Sequence, residues 1–488
     1  MPRWQILLNQ IKPTFKMLVI KKLKEKLTLR VCAVMVLLVS FTAIAKAQTV
    51  APFKNGDRVA FVGNSITDGG HYHSYIWLYY MTRFPDMRVT FFNAGIGGDI
   101  AKQIARRFDD DVLNRNPTVV TVTWGMNDTG YMEWFADNAQ ETFRKRLDTS
   151  IKYYHIIEEK LKRLPNVKKV LVASSPYDET TTSAPNNLYK GKSAALLQIA
   201  EFQEAAAKKN QWGFIDLNRP MTAINKQGQA TDPAFSLTPN DRIHPDNDGH
   251  MVMAYLILKA QGLANNSVAN VQIEAGSQKV VKAENAVVNK LSRTTNDITF
   301  NYLAKALPYP LDTVVRGWGN HRRQADALKV IPFIKEFNQE VLAVKGLASG
   351  KYSLQIDGQA IGNWSADDLA KGINLAEQTN TPQYQQALQV MALNEERWEI
   401  ERRFRNHAFI EFNVLFDRGL YNADNAVAMD TVNAVAKREI FVAGNKSTYL
   451  TSQYKSVRQA WQMEMDLLLA QIYKLNKPVV RQVNLTRL

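Results

Sequence analysis

The sequence predicts an α/β protein with a parallel sheet covered by helices on both faces, followed by an α+β, mostly helical, C-terminal region. Three observations carry this. Short apolar runs alternate with stretches of helical apolar spacing between residues 58 and 261, the pattern of successive βαβ units. Several runs end in a small or polar residue, such as Gly63, Asn93 and Gly125, where an open parallel sheet places its ligands. After Gln261 the regular alternation stops, and short strand signals give way to long helices.

In chain order, residues 58–63 read as a buried strand and Tyr75 to Phe84 as a helix with Ile76, Tyr79, Tyr80 and Phe84 on one face. Arg88 to Asn93 is a second strand, residues 94–99 a glycine-rich turn, and Ile100 to Phe108 a helix. Val119 to Trp124 is a third strand, followed by a long amphipathic helix from Asn138 to Arg163. Val167 to Ala173, Leu196 to Lys209, Gly213 to Asp216 and Gly249 to Gln261 continue the alternation as strand, helix, strand and helix. Beyond a polar linker, residues 271–288 and 297–302 carry strand signals, and residues 338–344 look helical. Lys351 to Ile356, the Asp357-Gly358 turn and Ala360 to Trp364 read as a hairpin. Pro382 opens a helix toward Phe404, and a last helix runs from about Ser452 to Leu475, stopped by Pro478.

Residues 1–47 read as a secretory signal: Lys21, Lys22, Lys24, Lys26 and Arg30, an apolar run from Val31 to Ala45, and Ala45-Lys46-Ala47 as a small-x-small cleavage site. The expected organisation is therefore a signal (1–47), a catalytic domain (48–265) and an accessory region (266–488), in a protein exported to the periplasm or beyond, with no stable membrane insertion after cleavage. Eight of the fifteen net positive charges lie in the signal. The remainder is only mildly basic and lacks a basic patch with interleaved aromatics, so no nucleic-acid partner is expected. The single cysteine, Cys32, is in the signal, which excludes disulfides and thiol catalysis from the mature chain.

Four stretches at the strand ends carry chemistry: Gly63-Asn64-Ser65, Asn93 to Asp99, Trp124 to Asp128, and Asp241-Arg242-Ile243-His244. Acyl transfer by a serine needs a base, a carboxylate that orients it, and donors facing the oxyanion. Ser65 fits the nucleophile, His244 the base and Asp241 its partner. The backbone N–H groups of Ser65 and Gly98 and the Asn127 amide fit the oxyanion hole; glycine at 98 lets a backbone N–H approach the substrate.

These four blocks, in this order, resemble those of the SGNH (GDSL-type) hydrolase superfamily, matched here by Ser65, Gly98, Asn127 and the Asp241–His244 pair. The resemblance implies a flavodoxin-like three-layer sandwich and hydrolysis of small esters without metal or cofactor. The first block departs from the usual Gly-Asp-Ser by having Asn64. More loosely, residues 351–382 resemble the appended region of exported bacterial members from glycan-degradation systems. The expected partner is thus an acylated oligo- or polysaccharide, most simply an O-acetyl ester. A lipid-directed esterase and a non-catalytic glycan-binding protein are the rival readings.

Around this set, Asn64, His71, His73, Trp124 and Arg242 are candidate substrate contacts. His71 and His73 stand where a cleft wall would be; as a metal pair they lack a third ligand. Trp124 offers a sugar-stacking face or is core, and Arg242 offers a cation for an acidic group or faces solvent. Asp128 reads as a turn residue and Asp109-Asp110-Asp111 as a solvated helix end. His321 and His407 look isolated. Gly95 to Gly98 lacks dinucleotide-binding spacing. The accessory region is open to packing on the mouth, to homo-oligomerisation or to glycan binding.

Overall fold

Five apolar segments form the central sheet: β1 Arg58–Gly63, β2 Thr90–Gly95, β3 Val119–Val122, β4 Lys168–Ala173 and β5 Gly213–Asp216. Their order is β2-β1-β3-β4-β5, and every pairing is parallel. The computed structural model describes residues 50–488 except Trp318; the segment read as a signal lies outside the described residues. Helices α1 Tyr72–Arg83, α2 Ala101–Arg107, α3 Ala139–Lys162, α4 Lys192–Asn210, α5 Asn218–Gln229 and α6 Asn247–Ala260 connect and follow the strands. This is an α/β sandwich. Its sheet is buried on both faces, so β1 is apolar without alternation: Val59, Ala60, Phe61 and Val62 are all buried.

Register decides where the site lies. Gly63 of β1 pairs with Gly95 of β2, and Val62 pairs with Val122 of β3. The loops leaving β1, β2 and β3 therefore start side by side at the carboxyl edge.

The second half opens with a β-sandwich. A mixed sheet holds β6 Ala269–Glu274, β7 Lys279–Glu284, β10 Glu340–Lys345 and β13 Ile373–Asn374. An antiparallel sheet holds β8 Ala286–Arg293, β9 Asp297–Ala304, β11 Lys351–Ile356, β12 Gln359–Ser365 and β14 Arg481–Arg487. Val271, Ile273, Leu342 and Val344 share one apolar core with Phe300, Leu354, Val483 and Leu485. In the expected hairpin, Asp357 and Gly358 both have positive φ, at 53° and 80°, as a tight two-residue turn requires. Residues 338–344 are not helical. The helix is the short Phe333–Phe337 before them, and 340–345 is a strand between β6 and β13; Val341 and Val344 suit a buried strand better than a helix. The C-terminal tail is β14, which crosses back to sit between β9 and β11.

Between β13 and β14 lie four longer helices: α7 Pro382–Ile410, α8 Ala426–Ala436, α9 Ile440–Ser452 and α10 Lys455–Leu475. Thr381 caps α7, its hydroxyl accepting the Tyr384 N–H at 3.3 Å, with Pro382 at the first turn. Residues 50–488 form one compact unit, and α7 lies against α1. Along α7 an unusual number of polar residues are buried: Asn394, Glu395, Arg397, Glu401 and Arg405.

Candidate active site

β1 ends at Gly63, and the chain turns at once into a one-turn helix, Ser65–Asp68. A Cβ on Gly63 would lie 2.2 Å from Thr67 Oγ1, so this tight turn needs glycine. Asn64 is the N-cap: its Oδ1 accepts the Ile66 N–H at 3.0 Å. Ser65 follows, partly exposed at the sheet edge.

The loop between α5 and α6 brings the base to it. Ser65 Oγ lies 2.8 Å from His244 Nε2, and His244 Nδ1 lies 2.5 Å from Asp241 Oδ2. Asp241 Oδ1 also accepts the backbone N–H groups of His244 at 2.8 Å and Ile243 at 2.9 Å. Burial acts to raise the Asp241 carboxyl, but these hydrogen bonds and the imidazole outweigh it and hold it below its usual value. An ionised carboxylate only accepts, so the ring proton belongs on Nδ1 and Nε2 is left to accept from the serine. The His244 side chain is 46% exposed, which leaves the serine–histidine pair open to an entering ester.

The three expected donors follow the three adjacent strands. Gly98 is exposed, with φ of 83° and nothing within 4 Å of where a Cβ would stand. Asp68 Oδ2 accepts the neighbouring Gly97 N–H at 3.0 Å. Asn127 donates one Nδ2 hydrogen to Asp99 O at 2.9 Å, leaving the second free for a substrate oxygen, and its Oδ1 accepts the Tyr131 hydroxyl. Lys192, buried, donates to Met126 O at 2.7 Å and Thr129 Oγ1 at 2.6 Å, and so pins the loop that carries Asn127. Asp128 gathers the N–H groups of Gly125 and Ala101, both at 3.0 Å, and the Ser150 hydroxyl at 2.8 Å.

The outer candidates are corrected by their surroundings. His71 and His73 are buried and line no cleft. His71 stacks on Trp398 with ring centroids 3.9 Å apart and lies 3.2 Å from Glu395 Oε2; His73 meets Thr67 O at 3.1 Å. Trp124 is core: it stacks on Tyr154 at 5.0 Å, and its indole N–H donates to Ser150 Oγ at 3.1 Å. Arg242 is buried and donates to Ala184 O at 2.9 Å and Asp178 O at 3.0 Å, which anchors the Asp241–His244 loop. Asn64 shapes the serine turn through its cap and is itself buried. His407, read as isolated, is buried against Tyr449 and Ser452.

Sequence reasoning missed a second polar group beneath these loops. Asp111, expected in solvent, is buried between Arg107 and Arg405. Burial would raise its carboxyl, but the two guanidinium groups hold it far below the usual range. Burial pushes Asp99 up to about 6 against the pull of Arg107. The four-residue spacing of Arg107 and Asp111 on one helical face was the readable half of this signal.

Comparison with known proteins places this geometry. Residues 61–252 match the GDSL-like lipase/acylhydrolase family, and residues 388–477 match the diltiazem deacetylase C-terminal helical domain. A solved gut microbial diltiazem-metabolizing enzyme is 50% identical, covering 91% of this chain and all of its own, with a TM-score of 0.89. An acetylxylan esterase of Geobacillus stearothermophilus is 23% identical over 225 residues, 43% of this chain and 95% of that protein. A crystal structure of that esterase aligns at 21% identity over 43% of this chain and 95% of its own, with a TM-score of 0.35.

The class is therefore that of ester hydrolases acting on acyl groups. Within it, the chain belongs to the SGNH hydrolase superfamily, the GDSL-like lipases and acylhydrolases, and carries a C-terminal extension.

Proposed function

We propose that the protein is an exported serine esterase that removes O-acetyl groups from bulky alcohols, carbohydrates foremost, through an acyl-enzyme on Ser65. The observation that carries the reading is the Ser65–His244–Asp241 relay at 2.8 and 2.5 Å.

His244 Nε2 takes the Ser65 proton as Oγ attacks the ester carbonyl. The Ser65 and Gly98 N–H groups and the Asn127 amide receive the negative oxygen of the tetrahedral intermediate. Protonated His244, held by ionised Asp241, gives its proton to the departing alcohol oxygen. Water then enters, loses a proton to His244 and attacks the acyl-serine; collapse releases acetate and returns the proton to Ser65.

Acetyl as the acyl group is supported by two comparisons whose names share deacetylation while their alcohols differ, a polysaccharide and a drug. The exposed His244 leaves room for a bulky alcohol outside the protein. Export is supported by the basic and apolar segment ending at Ala47.

The test is acetate release by residues 48–488 from acetylated polysaccharides and from diltiazem, with Ser65→Ala as control. Release that disappears in the variant supports the reading. Release that persists in Ser65→Ala, or a preference for long-chain acyl esters over acetyl, contradicts it.

A further inference from the structure

Four buried charged side chains form a continuous chain behind the oxyanion donors, and one of them comes from the C-terminal extension. Arg405 of α7 is 1% exposed. Its Nη1 and Nη2 donate to the two oxygens of Asp111 at 2.9 and 2.8 Å, and its Nε donates to Gly95 O at 2.9 Å. Asp111 Oδ2 also takes Arg107 Nη1 at 2.5 Å. Arg107 then donates from Nε to Asp99 Oδ2 at 2.7 Å and from Nη2 to Gly63 O at 3.0 Å.

The far ends of this chain matter. Gly63 is two residues before Ser65. Gly95 begins the turn that carries Gly98. Asp99 follows Gly98, and its carbonyl holds the Asn127 amide. Each peptide unit is planar, so fixing a carbonyl fixes the plane it shares with the next N–H. Ile96 N–H donates to Gly63 O at 3.2 Å, which ties the β1 and β2 turns at the same oxygen that Arg107 grips.

Glu401 lies one helical turn before Arg405 and faces the same strand end. Its Oε1 accepts the Asn93 N–H at 2.7 Å, while Asn93 Oδ1 takes the Gly95 N–H at 2.9 Å. Phe409, one turn further on, reaches 3.9 Å from the Cβ position of Gly97. The glycine turn has no side chains of its own to hold it at 97 and 98, and α7 braces it from behind.

We propose that Arg405 is a positioning residue for catalysis: through Asp111 and Arg107 it holds the Ser65 turn, the Gly98 turn and Asn127 in mutual register. The helical extension is then part of the working site of the esterase. This rests on the oxyanion-hole assignment above. A guanidinium is needed because a lysine ammonium cannot serve both Asp111 oxygens and Gly95 O in this planar arrangement.

The experiment uses the full exported chain, residues 48–488, as wild type, Arg405→Met, Arg405→Lys and Ser65→Ala. Steady-state kinetics on p-nitrophenyl acetate are measured across pH, with kcat referred to the folded fraction from near-UV circular dichroism. Arg405→Met is expected to lower kcat about a hundredfold, the loss of one oxyanion donor. KM should stay within about twofold and the acid limb of the pH profile should not move, because His244 and Asp241 have no contact with the buried chain. Arg405→Lys keeps the charge and should recover about half of that loss on a logarithmic scale. If Arg405→Met does not fold, Arg405→Lys decides: a kcat about tenfold below wild type supports the proposal.

Normal kcat per folded molecule in Arg405→Lys, or in a folded Arg405→Met, overturns it, since a purely structural bracket would change melting and leave turnover alone. Ser65→Ala separates the two levels. If it stays active, the underlying site assignment fails; if it is inactive while the Arg405 variants turn over normally, only the positioning role fails.

Discussion

Two polar chains meet at the same edge of one sheet, and they are built in opposite ways. Ser65, His244 and Asp241 are partly exposed, come from two neighbouring loops, and touch each other through hydrogen bonds. Asp99, Arg107, Asp111 and Arg405 are at most 3% exposed and come from elements up to about three hundred residues apart. The exposed chain has to change protonation and meet substrate, so it needs access. The buried chain has to stay still, and low dielectric makes its ion pairs rigid while making any unpaired member costly. A change in the exposed chain should therefore cut turnover and spare folding, whereas a change in the buried chain should affect both.

The sharpest way to break this contrast is Asp241→Asn. The amide keeps the shape but favours the wrong imidazole tautomer, so kcat should fall about a thousandfold or more while Tm stays within a few degrees. A loss below tenfold would show that the His244 ring is held by other means. Next is the Asn127 pair of changes. Asn127→Ala should lower kcat on p-nitrophenyl acetate about a hundredfold by removing one oxyanion donor. Tyr131→Phe, which removes only the hydroxyl that fixes the Asn127 amide, should show a smaller fall, about tenfold; equal effects would mean that Tyr131 itself touches the reacting ester.

The last expected effect belongs to the buried side and is read in stability, not turnover. Burial lowers His73 to about 4, so the folded state refuses a proton that the unfolded chain binds near pH 6.5. The unfolded state then carries more protons between these values, and the contribution of a neutral His73 is present above pH 6.5 and lost as pH falls toward 4. Asp68 and Asp99, both pushed by burial up to about 6, act in the opposite sense in the same range. The effect is therefore read as a difference. The stability of wild type relative to His73→Gln should shrink by about 1.4 kcal/mol per pH unit between 6.5 and 4. A pH-independent difference would contradict the assignment of a buried neutral imidazole.

The exposed chain was legible in the sequence because its chemistry demands particular residues at strand ends. Ser65 after Gly63, Gly98 in a glycine turn, and Asp241 three residues before His244 are local patterns that the fold then gathers. The hairpin at Asp357-Gly358 was equally local. The buried chain was not legible. On α7 nothing in the sequence marks the charged residues at 397, 401 and 405 as buried, because helical spacing gives the face but not what covers it. Asp109-Asp110-Asp111 misled for the same reason: Asp109 and Asp110 keep solvent access while Asp111 turns inward to Arg405. His71 and His73 looked accessible beside the nucleophile turn, and only the packing of α7 on α1 shows them buried. The strand at 340–345 was hidden because its partners, β6 and β13, lie some seventy residues before and thirty after it.

The most direct test of the central claim is to label residues 48–488 with a fluorophosphonate and locate the adduct by peptide mass spectrometry. One adduct per chain is expected, on Ser65, with loss of esterase activity in proportion to labelling and no adduct in Ser65→Ala. An adduct on another residue, or full activity in protein labelled at Ser65, would contradict it.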